Sequence, residues 1–201
     1  MIPYINLTQM DDNCLLLDVT TIITLISDTT HRPNELIESF TKYIATSKDD
    51  RYYDKIKSIT EEIMDELANP LYPKLMKVLE GKKLYTVQEA YDRIFNEMQL
   101  IMNVNEHKRF IELTKRLTII KADISERFQK LDANRWKKSN RSIFGTADKL
   151  KVKMLTGNRK AVVTVLDGNK FDMDIIVHRS RDLVGNRILE QVGKLNDNID
   201  K

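Results

Sequence analysis

The amino-acid sequence predicts an α/β fold: a three-layer arrangement in which a mainly parallel five-stranded sheet carries helices on both faces. Three observations carry the prediction. Cys14-Leu15-Leu16-Leu17 is a short, wholly apolar run that ends on Asp18, as expected of a central parallel strand covered on both sides. Short β-prone runs then alternate with segments of helical period from one end of the chain to the other, the pattern of right-handed crossovers in a parallel sheet. Finally, no internal repeat, low-complexity stretch or shift in composition divides the 201 residues, so the expectation is one domain over 1–201, with an irregular arm at 1–13 and a tail at 188–201.

Composition narrows the class. Hydrophobic residues make up 41% and charged residues 31%, the balance of a globular rather than a disordered chain. The formal charge of +3 does not by itself announce a nucleic-acid binder. Its distribution says more: residues 107–160 are rich in Lys and Arg, with Arg135, Lys137, Lys138 and Arg141 around Trp136. That cluster reads either as a phosphate-backbone contact with Trp136 as a stacking face, or as a solvated loop with one anchoring aromatic. One cysteine, Cys14, excludes an internal disulfide and fits a reducing compartment. No apolar run is long enough to span a bilayer, and Met1-Ile2-Pro3-Tyr4 lacks the form of a signal peptide. The expectation is an intracellular protein, cytoplasmic or nuclear, without a membrane partner.

Taken in order, strand one covers 14–18 and helix one 19–28. Asp18 is either the cap of that helix or a ligand at the carboxyl end of the strand, and the two roles are compatible. Thr29 to Pro33 is a turn, with His31 a solvated turn histidine or a phosphate contact, and Asn34 caps a helix to Ile44. Ile56, Ile59, Ile63 and Leu67 mark one helical face, while Glu61, Glu62, Asp65 and Glu66 read as its solvated side. Pro73 opens a helix toward Gly81. Lys83–Thr86 is a second strand, with Thr86 capping a helix striped by Tyr91, Ile94, Phe95 and Met98. A helix over 105–116 precedes a third strand at 117–120, and Asp123 or Ser125 starts another helix. Residues 135–140 are a basic loop, Ile143 to Asp148 opens a short helix, and 153–156 is a fourth strand. Gly157-Asn158 turns into a helix carrying Ala161, Val162, Val165 and Leu166. Met173–His178 is the fifth strand, and a helical tail follows Asn186.

Several chemistries are excluded. There is no Gly-x-Gly-x-x-Gly, Walker or Gly-x-Ser-x-Gly motif, and no zinc-ligand spacing among one cysteine and three histidines. What remains is carboxylates at element ends. In a sheet ordered 3-2-1-4-5, Asp18 and the Thr156-Gly157-Asn158 turn meet at one carboxyl edge. Carboxylates gathered there repel one another, and Mg²⁺ or Mn²⁺ relieves that repulsion and can activate water for displacement at phosphorus.

Two resemblances rest on these residues. The apolar triplet before Asp18-x-Thr20, a late Asp148 and Thr156-x-Asn158 resemble the PIN domain, a superfamily largely of metal-dependent ribonucleases with a 3-2-1-4-5 sheet. More closely, from about residue 14 to 187, the chain resembles the C-terminal domain of a widespread eukaryotic family, a domain of unknown function. Leu17–Ser27, Lys115-Arg116-Leu117, Ser125-Glu126-Arg127, Ile143–Leu150 and Leu155–Asn158 carry that likeness. The PIN resemblance implies Asp18 and Asp148 as ligands of Mg²⁺ or Mn²⁺, with Glu89 or Glu66 supplying a further catalytic acid. Thr20, Thr156, Asn158, Ser125 and Arg127 would support them, although Arg127 could equally neutralise a carboxylate. Its implied activity is hydrolysis of RNA phosphodiester bonds. Asn158, where many PIN enzymes have Asp, implies the alternative: a catalytically degenerate module that binds single-stranded or structured RNA, or a protein partner.

Overall fold

The computed structural model describes residues 11–132, 136 and 138–199, with the side chains of 195–199 excepted. Five strands, β1 (Cys14–Leu17), β2 (Lys83–Val87), β3 (Leu117–Ile120), β4 (Lys153–Thr156) and β5 (Ile175–Val177), form one all-parallel sheet in the order β3-β2-β1-β4-β5. The α/β class, the parallel pairing and the order are those expected. β1 lies at the centre, where every one of its side chains is buried, which is why it is apolar at successive positions instead of alternating.

Helices fill the crossovers. α1 (Val19–Ile26), α2 (Asp28–His31), α3 (Pro33–Thr46), α4 (Tyr53–Ala68) and α5 (Tyr72–Leu79) lead from β1 to β2. α6 (Gln88–Arg93), continued by a π-helical turn at Ile94–Met98, and α7 (Val104–Thr114) lead to β3. α8 (Glu126–Gln129) and α9 (Lys138–Leu150) return across the sheet to β4. α10 (Arg159–Val163), with a second π turn at Thr164–Gly168, leads to β5, and α11 (Gly185–Ile199) closes the chain. Right-handed crossovers put the helices of the first two connections on one face and those of the last two on the other.

Two apolar clusters result. The larger surrounds the sheet. The smaller joins α3, α4 and α11 through Phe40, Tyr43, Ile56, Ile59, Ile63, Ile188 and Val192. The C-terminal tail is thus a packed helix, and it covers a helical hairpin whose inner face would otherwise meet water.

Some local expectations are corrected. Pro33, with no N–H to lose, opens α3 one residue before Asn34. Thr86 lies in β2 and donates to the Leu17 carbonyl, 2.9 Å away, instead of capping α6. His31 donates into α1, its Nε2 lying 2.7 Å from the Leu25 carbonyl. The largest correction concerns α9. Residues 143–148 are the interior of a thirteen-residue helix that starts at Lys138, so Asp148 lies near its end, not at its start. Gly145 does not mark a beginning. A β-carbon there would sit 2.5 Å from Ile124 Cγ2, so glycine lets the helix pack directly on the 124–128 segment.

Candidate functional site

The carboxyl edge of the sheet is built around Asp18. Its side chain caps α1 by accepting from the Thr21 amide at 2.8 Å. Thr20 Oγ1 donates to both carboxylate oxygens at 2.7 and 2.9 Å, and Thr156 Oγ1 donates at 2.6 Å. These two threonines are themselves held: Thr20 accepts from the Gly157 amide and Thr156 from the Asn158 amide. Asp18 is 4% exposed. Its oxygens are therefore engaged by neutral donors, and the carboxylate works as a clasp between the start of α1 and the end of β4.

Around the clasp lies a second set of bonds. Thr21 Oγ1 is 2.7 Å from the Leu155 carbonyl and 2.8 Å from His178 Nε2, at the end of β5. Burial pushes the His178 pKa down. Its Nδ1 lies 2.6 Å from the Arg179 carbonyl, and its Nε2 faces the Thr21 hydroxyl oxygen, whose own proton goes to the Leu155 carbonyl. Gly157 is required by close approach: a β-carbon would lie 3.0 Å from His178 Cε1 and 3.1 Å from both Ser180 Cβ and Thr20 Oγ1.

A crevice of about 590 Å³ opens beside this clasp, lined by Thr20, Gly157, Asn158 and Ser180 on one side and Arg93, Trp136, Asn140, Arg159, Lys160 and Thr164 around it. Its polar groups are mostly donors. The Asn158 carbonyl is occupied as the cap of α10, accepting from the Ala161 amide at 3.2 Å. The Asn140 carbonyl faces Asn158 Nδ2 at 3.4 Å. The Thr20 hydroxyl is given to Asp18, and the Thr164 hydroxyl to the Lys160 carbonyl. What remains among the lining side chains is the N–H groups of Asn140, the second side-chain N–H of Asn158 and the cations Arg93, Arg159 and Lys160. Among the described residues no carboxylate lines it. Among the described residues no acid pairs with Arg159 or Lys160, and Arg93 reaches Glu97 only at 3.8 Å. The two π turns flank this crevice, one following Arg93 and one beginning at Thr164, a placement in which π turns recur at functional sites.

The sequence-derived acids do not converge here. Asn140 is at the crevice, and Asp148 follows it by eight residues on α9, about 12 Å along the axis at the α-helical rise. Asp148 is bound at that far end by Ser125 Oγ at 2.5 Å, by Arg127 Nε and Nη2 and by Lys151 at 3.0 Å. Burial alone would raise its pKa, but these donors and the Arg127 charge outweigh it and hold it at about 2. The expected pairing of Asp18 with Asp148 is not formed, and Ser125 and Arg127 serve Asp148, away from the crevice. Glu66 is also elsewhere. It is buried under α4, ion-paired with Arg181 at 2.9 Å and accepting the Leu71 amide at 2.7 Å. Its neighbours in sequence make it look solvated; its partner is 115 positions away.

Glu89 stands in the first turn of α6, in an adjoining pocket with Asp92, Arg93, Asn96, Glu97, Lys138 and Ser139. Of the basic cluster, Lys138 lines that pocket and Arg141 donates back to the Leu131 carbonyl at 2.8 Å. Trp136 is 5% exposed and packs edge-on against Phe128 and Phe144, so its ring faces are taken up by the core. Arg135 and Lys137 lie outside the described residues. Sequence reasoning did not find Arg93, Asn140, Arg159 or Lys160; the start of α9 at Lys138 was the signal that would have placed Asn140.

These residues do not fit a hard divalent cation. Asp18 has its oxygens engaged by two threonine hydroxyls and a backbone amide. Among the described residues, no three His, Cys, Asp or Glu side chains are grouped to hold a metal ion. Nor, among them, is any helix long and apolar enough to cross a membrane. No solved structure matches the chain. A family model described as "Protein of unknown function (DUF1308)" matches residues 15–189, and the chain belongs to that family.

Proposed function

We propose that this chain is a non-catalytic PIN-like module that binds RNA through its phosphates at the carboxyl-edge crevice. The observation that carries the reading is the inversion of the crevice's chemistry. Where a metal-dependent nuclease needs carboxylate oxygens free to face a cation, this edge leaves N–H donors and three cationic side chains facing the space. Such a lining suits a ligand made of acceptors, and phosphate oxygens accept hydrogen bonds without donating them. The resemblance to PIN domains supports RNA as the source of the phosphates, and the strand order supports the resemblance.

The test is fluorescence anisotropy with a labelled 12-nucleotide single-stranded RNA. Three cations in contact with phosphates give a log-log salt slope near −2 for a single strand, or roughly 20-fold weaker binding on going from 50 to 200 mM salt. Charge reversal at Arg159→Glu and Lys160→Glu abolishes binding if the reading holds. Binding that ignores both substitutions, or no binding at all, overturns it. So does an Mn²⁺ site found by calorimetry whose loss in Asp18→Asn accompanies loss of RNA cleavage.

A further inference from the structure

The charge lining the edge reverses sign at Arg93, and the reversal bears on which part of an RNA the crevice receives. Arg93 lines both the crevice and the adjoining pocket of about 430 Å³. On the crevice side it stands with Arg159 and Lys160 and, among the described residues, no acid. On the far side it meets Glu89, Asp92 and Glu97, balanced there by Lys138. Glu97 pairs loosely with Arg93, and Asp92 accepts from the Gln88 amide at 2.7 Å. Among the described residues, Glu89 Oε2 is buried with no hydrogen-bond partner.

A phosphodiester strand repeats its negative charge at every nucleotide. Laid through the crevice and past Arg93, it would bring its next phosphate against three carboxylates. Like charges at that spacing oppose each other more strongly where water is partly excluded. The strand is therefore favoured in one direction only, outward over α10 and the π turn that follows it, where Arg159, Lys160 and Thr164 lie. A path that admits backbone from one side and repels it on the other is suited to a chain end.

The donor count points the same way. An internal phosphodiester carries one charge, whereas a terminal monoester carries about −1.5 to −2 at pH 7 and three terminal oxygens. Three cations, the amide N–H groups of Asn140 and the one N–H that Asn158 does not give to Asn140 exceed what one diester can use.

We propose that the crevice is a receptor for a terminal phosphate monoester of RNA, with the acidic pocket beyond Arg93 acting as the stop. This rests on the RNA-binding reading above and adds which phosphate is held. The experiment compares three 12-nucleotide single-stranded RNAs of one sequence: 5′-phosphorylated, 3′-phosphorylated, and hydroxyl at both ends, each labelled away from the end under test. The expected result is that one phosphorylated form binds at least tenfold tighter than the hydroxyl form, and the arm that gains identifies the end. Arg159→Ala, an exposed position that folding does not need, should remove most of the gain. Lowering the pH from 7.5 to 5.5, through the second ionisation of the monoester near 6, should shrink it. Equal affinity for all three RNAs overturns the terminal-phosphate inference and leaves phosphate-dependent RNA binding standing. Failure of all three to bind overturns both. Reversing the stop gives an independent check: Glu89→Gln with Asp92→Asn should raise affinity for the hydroxyl-ended RNA and narrow the difference. An unchanged difference counts against the role given to the acidic pocket.

Discussion

Replacing Asp18 by Asn separates a structural clasp from a site held under repulsion, because the two predict opposite signs for stability. The carboxylate accepts from three donors: Thr20 Oγ1, the Thr21 amide and Thr156 Oγ1. An asparagine keeps one oxygen, enough to go on capping α1. Its NH₂ group would then stand where Thr156 now donates. The Thr156 oxygen already accepts from the Asn158 amide, so its hydroxyl proton is left with no acceptor in a fully buried position. Hydrogen bonds to a charged acceptor contribute about 1.5–3 kcal/mol each, and a buried donor without a partner costs about 1–3 kcal/mol. One bond lost and two weakened, offset by easier burial of a neutral amide, give a net loss of about 2–3 kcal/mol. With an m-value near 2–3 kcal/mol/M in urea, the midpoint should fall by roughly 1 M. Urea unfolding followed by Trp136 fluorescence measures this, since the indole is buried among core aromatics. Thr156→Val completes a double-mutant cycle with a coupling of more than about 1 kcal/mol. A midpoint in Asp18→Asn that is unchanged or higher refutes the clasp, because removing a charge from a repelling cluster stabilises the fold.

Three further predictions concern the rest of the molecule. Asp148 ionises at about 2 in the folded protein, below its unfolded value near 3.8, so its contribution is fully present above pH 4 and is lost as pH falls toward 2. Asp148→Asn should therefore cost about 2 kcal/mol at pH 7, and its stability curve should converge with that of the parent protein as pH drops to 2; parallel curves would contradict the assignment. Burial pushes Glu62 up to about 7, so the stabilisation associated with its proton is full below pH 4.5 and declines as pH rises through 7. Glu62→Gln keeps an acceptor for the Asp182 amide and should raise the melting temperature at pH 8 but not at pH 4.5, as calorimetry at both pH values would show. Gly185 has φ +72°, and a β-carbon there would lie 2.5 Å from the Ile101 carbonyl oxygen. Gly185→Ala should destabilise by about 2 kcal/mol or more, lowering the melting temperature by roughly 4–8 °C; a shift under 1 °C would count against the close approach.

The fold was more legible in the sequence than the site was. β1, β3 and β4 are short apolar or β-branched runs whose bounds follow from hydropathy alone, and the alternation with helices fixes the class. The site depended on the length of one helix. Gly145 reads as a boundary because glycine weakens helices, yet here it sits mid-helix where α9 presses on Ile124. Shortening α9 in this way carried Asp148 to the wrong end of the sheet and hid Asn140. Glu66 was misread for a different reason: its acidic neighbours form a solvated pattern, and nothing local reveals that Arg181 comes to meet it. The crevice cations come from α6 and α10, elements some seventy residues apart. No window along the chain brings them together. The Asp18 clasp was half legible, since its capping role is a local matter and its bond to Thr156 is not.

The segment from Arg179 to Gly185 ties distant parts of the molecule together. Arg179 and Arg181 pair with Asp65, Arg181 also with Glu66, and the Val184 and Gly185 amides donate to the buried Glu106 carboxylate at 2.8 and 3.0 Å. This strap runs from the end of the sheet to the helical hairpin. Peeling it away would take Arg181 from the buried Glu66 and two amide donors from the buried Glu106, and strip α11 from Phe40 and Ile59 in the same motion. The hairpin and the sheet are thus denied separate melting. Heating should give one calorimetric peak for both halves, and a protease that nicks between Arg179 and Asp182 should release the whole structure at once.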